Sequence, residues 1–161
     1  ELTASTIVNA YSQQRLEDIL RHWGEESRAR SVAVAIVRNR PFDSTQELAQ
    51  TIAAVMPRGG RHHPATKSFQ ALRIEVNDEL GQLERSLPVW FDLLSPGGRL
   101  AIISFHSLED RIVKRAYADV AGTGYDAEYT LLTRRPISAD ENEIAINPRA
   151  RSAKLRALQR K

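Results

Sequence analysis

Ser104-Phe105-His106-Ser107-Leu108-Glu109-Asp110 gathers two hydroxyls, an imidazole and two carboxylates into one short stretch. An imidazole titrates near neutral pH, so His106 can donate to a base carbonyl or a phosphate, or act as a base. A Ser-His hydrolase needs an acid orienter and an oxyanion hole, and the chain has no G-x-S-x-G elbow. Metal chemistry has little support either. His62-His63 are adjacent with no third ligand at suitable spacing, and the chain has no cysteine. There is a structural reading beside the chemical one. Ser107 followed by Asp110 predicts a helix N-cap, and Glu109 and Asp110 suit a first helical turn, where the helix dipole favours acid.

The elements around this stretch make it a corner. Pro96-Gly97-Gly98 predicts a turn, Arg99 to Ser104 a strand, and Ser107 to Tyr117 a helix. A strand end that runs straight into a helix is where open α/β sheets place ligands. Residues 1–57 read as three or four helices. Leu16, Ile19, Leu20 and Trp23 follow the N-cap Ser12 at helical spacing, and Gly24 stops the run. The stretch 25–38 reads as a helix closed by Pro41, with a strand over Val32–Val37 as the alternative. Ser44 and Glu47 form a capping box ahead of Leu48, Ile52 and Val55. Pro57-Arg58-Gly59-Gly60 then breaks the chain.

From Ala65 a long helix carries Phe69, Leu72, Val76, Leu80, Leu83 and Leu87 on one stripe, with Gly81 as its soft spot. Leu87 to Leu94 reads as a second helical piece, with Pro88 in its first turn. Tyr129–Thr133 predicts a strand, Ser138 with Glu141 a capping box for a helix through Ile146, and Ser152–Gln159 a terminal strand. Tyr11, Trp23 and Trp90 fall within apolar helical patterns and read as core.

The 161 residues suit one core or one core plus an appendage, with ordinary 42% apolar and 27% charged content. No apolar run approaches the ~20 residues that cross a bilayer, and no signal-peptide pattern is present, so the expected location is cytoplasmic. The chain begins at Glu1 and its sole methionine is Met56, which suggests a piece of a longer protein. Net charge is only +3, yet residues 147–161 hold six basic side chains and no acidic one. Such a block suits a polyanion partner, or is a solvated tail. Arg149, Arg151, Lys154 and Arg156 are the candidate phosphate contacts. Arg73 and Asn77, one turn apart beside the apolar stripe, face either RNA and the cleft or solvent. Arg28, Arg30, Arg38 and Arg40 add an RNA-facing surface, with helix-end capping as the alternative for Arg38 and Arg40.

Four blocks in order carry a family resemblance. They are His63 to Ile74 (HPATKSFQALRI) continued by VNDEL, Pro96 to Leu100 (PGGRL), Ser104 to Lys114 (SFHSLEDRIVK), and Asn147 to Arg156 (NPRARSAKLR). They resemble the RsmH (MraW) family of S-adenosylmethionine-dependent methyltransferases of small-subunit ribosomal RNA, over nearly the whole chain. The order of elements from residue 87 also resembles the second half of a Rossmann-like methyltransferase sheet. The fold this implies is α/β: the C-terminal strands of such a sheet, with an all-α inserted subdomain. Residues 1–60 would be the inserted, substrate-recognition subdomain and residues 61–161 the C-terminal half of the catalytic domain.

The implied activity is methylation of a cytidine amino group in small-subunit rRNA, and the implied partner is the 30S subunit. The expected base is flipped or unpaired, with Ser104, His106 and Ser107 lining its pocket and His106 as the candidate catalytic residue. The cofactor's main site belongs to an N-terminal half that this sequence does not match. No G-x-G-x-x-G occurs, and no residue here is assigned to the cofactor. The segment alone is expected to be inactive. The alternative is a non-catalytic RNA- or ribosome-binding module. A further reading, which makes the basic tail incidental, is a helical interaction domain without an RNA role.

Overall fold

Three hydroxyl side chains open helices. Thr3 accepts the Thr6 amide at 3.1 Å and starts α1 (Ala4–Ala10). Ser12 accepts the Arg15 amide at 3.3 Å and starts α2 (Gln13–His22). After α3 (Ala29–Arg38), Ser44 accepts the Glu47 amide at 3.2 Å and starts α4 (Thr45–Val55). Each such cap contributes about 1 kcal/mol. The Glu47 carboxylate accepts the amide of Asp43. The Val32–Val37 run is helical, because Val32, Ala33 and Ile36 share the buried face of α3.

The computed structural model describes residues 2–57, 63–122 and 127–161, which fall into two compact units divided between Glu79 and Leu80. The first contains α1 to α4 and α5 (Thr66–Asn77). Its core joins Ile7, Leu16, Leu20, Val32, Ile36 and Ile52 with Ala71 and Leu72 of α5. This shared core carries the unit well past residue 60. The Arg58-Gly59-Gly60 part of the chain break lies outside the described residues. Basic side chains tie helix ends together. Arg40 donates to the carbonyls of Val8 and Tyr11, and Arg28 donates to Val55 O at 2.9 Å. The C-terminal ends of helices carry partial negative charge, which favours this placement. Arg28 and Arg40 therefore serve helix ends.

The predicted long helix is two helices. Asp78 adopts a left-handed conformation (φ 48°) and separates α5 from α6 (Glu79–Asp92). Asp visits this region far more readily than most residues. Gly81 and Pro88, the expected soft spot and helix start, both lie inside α6.

The second unit adds β1 (Arg99–Ser104), α7 (Ser107–Val120), β2 (Tyr129–Leu131), β3 (Ile137–Ser138), α8 (Glu141–Ile146), a 3-10 turn (Pro148–Ser152) and β4 (Lys154–Arg160). The sheet order is β1-β4-β2, with β3 also on β4 and every pairing antiparallel. The terminal strand expected over Ser152–Gln159 is thus the central one. α8 is capped by Asp140, not Ser138, which lies in β3. Leu87 and Phe91 of α6 pack on Val113, Tyr117, Tyr129 and Leu158. Tyr129 donates to Phe91 O at 2.9 Å and Tyr117 to Leu100 O at 3.2 Å. Gly97 (φ 80°) supplies the left-handed turn residue, and its amide bonds Arg160 O at 2.9 Å. Trp90 is not core but 38% exposed. No helix among the described residues is long and apolar enough to cross a membrane.

Gly24 makes a testable close approach. A Cβ there would lie 2.7 Å from Leu20 O and 2.9 Å from Lys67 O, both backbone atoms. Gly24→Ala is expected to cost about 1–3 kcal/mol by overpacking. Chemical denaturation reads this directly, and an unchanged midpoint would show that α2 and α5 do not meet so closely.

Candidate functional site

The corner after β1 is built by helix capping. His106 is the N-cap of α7, extended at φ −142° and ψ 167°. Its Nδ1 accepts the Glu109 amide at 3.3 Å, while the Glu109 carboxylate accepts the amides of Phe105 (2.8 Å) and His106 (3.2 Å). The expected cap pair, Ser107 with Asp110, is displaced by one residue, because the chain stays extended through His106. Ser107 is the exposed first residue of the helix. Capping requires Nδ1 as an acceptor, so the neutral ring carries its proton on Nε2. That nitrogen lies 3.5 Å from Glu109 Oε1, and the side chain is only 10% exposed.

Asp110 has a different partner. Arg156 of β4 donates to it through both Nε (2.7 Å) and a terminal nitrogen (3.2 Å), and Lys154 Nζ stands 3.5 Å away. Asp110 and Arg156 are both buried. The bidentate geometry is the strong form of this interaction. Arg156 holds the Asp110 carboxyl below its usual range, mainly through its hydrogen bond. Alternation along β4 puts Lys154 and Arg156 on the face that also buries Leu158. Ser104 pairs in register with Lys154 and is 2% exposed, and its hydroxyl has no hydrogen-bond partner among the described residues.

The structure thus brings together Ser104, His106, Ser107, Lys154 and Arg156. Arg149 and Arg151 are exposed on the 3-10 turn that precedes β4. Arg156 is committed to Asp110 and is not a surface phosphate contact. Arg73 and Asn77 belong to the helical unit. Both bond Glu79, at 2.9 Å each, and both border an apolar pocket of about 380 Å³ lined by Val8, Phe42, Leu48, Phe69 and Leu72. His62 lies outside the described residues. His63 Nδ1 accepts the Ala65 amide at 3.2 Å, a local contact before α5. No cluster of three or more metal-ligating side chains occurs among the described residues.

Sequence reasoning missed Glu109 as the acceptor of two corner amides and Asp110 as half of an ion pair. A signal for the pair existed: Lys154, Arg156 and Leu158 alternate, so an inward apolar position implies inward cations that need an acid. Removing one half, by Asp110→Asn or Arg156→Met, is expected to cost about 3–5 kcal/mol, with much of it recovered in a double apolar variant. The folded-state pKa of Asp110 is below its unfolded value. Its stabilisation is therefore complete above the unfolded carboxylate range, near pH 4, and is lost as pH falls through the lowered folded value. Denaturation midpoints of wild type and Asp110→Asn measured across this range should converge toward acid. A constant gap would contradict the assignment.

Comparison with known proteins identifies the family. The MraW methylase family matches residues 1–161. A "Ribosomal RNA small subunit methyltransferase H" of Acidobacterium capsulatum is 51% identical over 99% of this chain and 54% of its own length. Proteins of the same description from Synechococcus elongatus and Elusimicrobium minutum are 49% and 48% identical, over 99% and 98% of this chain and 53% and 54% of theirs. The chain spans about half the length of the curated relatives it matches. The whole of the sequence falls within one family, and the chain belongs to the MraW methylase family.

Proposed function

We propose that this chain is the substrate-side portion of an enzyme that transfers a methyl group from S-adenosylmethionine to the exocyclic amino group of a cytidine in small-subunit rRNA. The observation that carries the reading is the strand-end corner, held rigid by reciprocal capping in a chain about 50% identical to rRNA methyltransferases. The sheet supports it. β1 and β2 run parallel to each other with β4 antiparallel between them. That is the arrangement expected of the C-terminal strands of a Rossmann-like methyltransferase, which the second unit would supply; the helical unit, with α5 in its core, would be the inserted substrate-recognition subdomain, its boundary lying beyond residue 60. The proposed setting is the cytoplasm, with the 30S subunit as partner.

Among the described residues, the β1–α7 corner does not make a nucleoside cradle. The β1–α7 corner is Ser-Phe-His-Ser without glycine, and the Glu109 amide at the helix start is already taken by His106. The cofactor's principal site is therefore assigned outside this chain. What this chain supplies is one wall. A cytosine amino group has its lone pair delocalised into the ring, so alignment of the base carries much of the reaction. With its proton on Nε2, an atom buried beside Glu109, His106 would donate to the base carbonyl or a phosphate only where the substrate displaces that cover. Accepting a proton at Nδ1 would break the cap, so the general-base role is disfavoured.

Asn is a good N-cap, so His106→Asn keeps α7 capped while removing the imidazole donor. In the longer protein that carries this segment, this variant is expected to lower the rate of methyl transfer to small-subunit RNA about 10²-fold with little loss of fold. Transfer at the wild-type rate would remove His106 from the site. Calorimetric titration of the present chain should show no micromolar S-adenosylmethionine binding, and such binding would relocate the cofactor.

A further inference from the structure

Two arginines outside the basic tail lie on the β2–β3 side of the central strand, where β3 meets the 3-10 turn of the tail. Arg134 and Arg135 lie between β2 and β3 and are both exposed. Neither makes a side-chain hydrogen bond or ion pair among the described residues. Their loop is anchored at both ends. Ahead of it, Leu132 N bonds Ala157 O at 2.9 Å and Ala157 N bonds the Thr133 hydroxyl at 2.9 Å. Behind it, Ile137 and Ser138 pair with Leu155 and Lys154. The 3-10 turn that carries Arg149 and Arg151 packs against β3. Its first turn is fixed by the Asn147 side chain, which accepts the Arg149 amide at 3.3 Å. Nearby acid is partly engaged: the Asp140 carboxylate accepts the Glu143 amide at 2.7 Å, and Glu141 and Glu143 lie in the first turn of α8.

The register extends this edge to the corner. Lys154 pairs with Ser138 on one side and Ser104 on the other. Two strand spacings, about 10 Å, therefore separate Ser138 from the strand end that precedes His106. Lys154 stands between them with 41% of its side chain exposed.

We propose that Arg134 and Arg135, with Arg149 and Arg151, form a phosphate-binding edge that leads an RNA strand over Lys154 to the Ser104–His106 corner. The inference rests on the proposed function, because RNA is the polyanion that this reading brings to the corner. Guanidinium groups free of carboxylate partners can each fork two phosphate oxygens. Their anchored backbones reduce the ordering cost of binding.

The test is fluorescence anisotropy of a single-stranded oligoribonucleotide across a salt series, with thermal melts to confirm folding. Each phosphate contact removed from a single strand flattens the log-log salt slope by about 0.7. Arg134→Gln with Arg135→Gln is expected to flatten it by about 1.4, as is Arg149→Gln with Arg151→Gln. Lys114→Gln with Arg115→Gln, an equal charge loss on α7, should leave it nearly unchanged. If the Arg134/Arg135 pair behaves like the α7 pair while the Arg149/Arg151 pair still flattens the slope, the edge is overturned and the proposed function stands. If the wild-type chain shows no salt-dependent RNA binding, both fail.

Discussion

The paired charges of Asp110 and Arg156 are the contact on which the second unit's working end depends. They lie 46 residues apart in sequence and are buried together. One stands on the first turn of α7 and the other on the central strand of the sheet. Either charge left alone in that position would be strongly unfavourable, so strand and helix must stay in one relation. That relation fixes where α7 begins, and so where His106 sits. The apolar side of the same junction is Leu100, Leu158, Val113 and Tyr117. Burial pushes the Tyr117 hydroxyl's pKa up, in keeping with its role as a neutral donor to Leu100 O.

β4 extends this constraint. It pairs with β1, β2 and β3, so every strand named here takes its register from it. Its inward face carries Lys154, Arg156 and Leu158, in that order from the polar end to the core. The chemistry-bearing corner and the arginine-bearing turns therefore collect at the Lys154 end, while the aromatic cluster of Phe91, Tyr117 and Tyr129 fills the other. The helical unit is governed differently. Its α1, α2 and α4 are capped by Thr3, Ser12 and Ser44, and Arg28 and Arg40 cross-tie carbonyls at helix ends.

Much of this was legible in the sequence because it is local. Ser12 and Ser44 cap where their spacing says they should, since a cap joins residues three apart. The strand over Arg99–Ser104 and the turn at Gly97 follow from apolar run and backbone chemistry. The errors are also local, and instructive. The cap at His106 rather than Ser107, and at Asp140 rather than Ser138, shows that several polar residues in a row leave the helix start ambiguous by one or two positions. The break at Asp78, within a stripe read as one continuous helix, shows that apolar spacing does not report a single left-handed residue between two helices that share the stripe. Trp90 read as core because helical spacing reports a stripe, not which stripe is covered.

The sequence by itself determined the family, because four long blocks in a fixed order are specific in a way that no single short pattern is. It also determined the helical character of the first third and the strand–corner–helix order of the site. Only the tertiary structure decided which cation meets Asp110, that the last strand is the central one, and that the loop of Arg134 and Arg135 leads into β3, against which the 3-10 turn of Arg149 and Arg151 packs. The physical reason is that periodicity encodes which face a residue is on, whereas partners many residues away are set by strand register. Register depends on the combined packing of all the strands and helices that meet on β4.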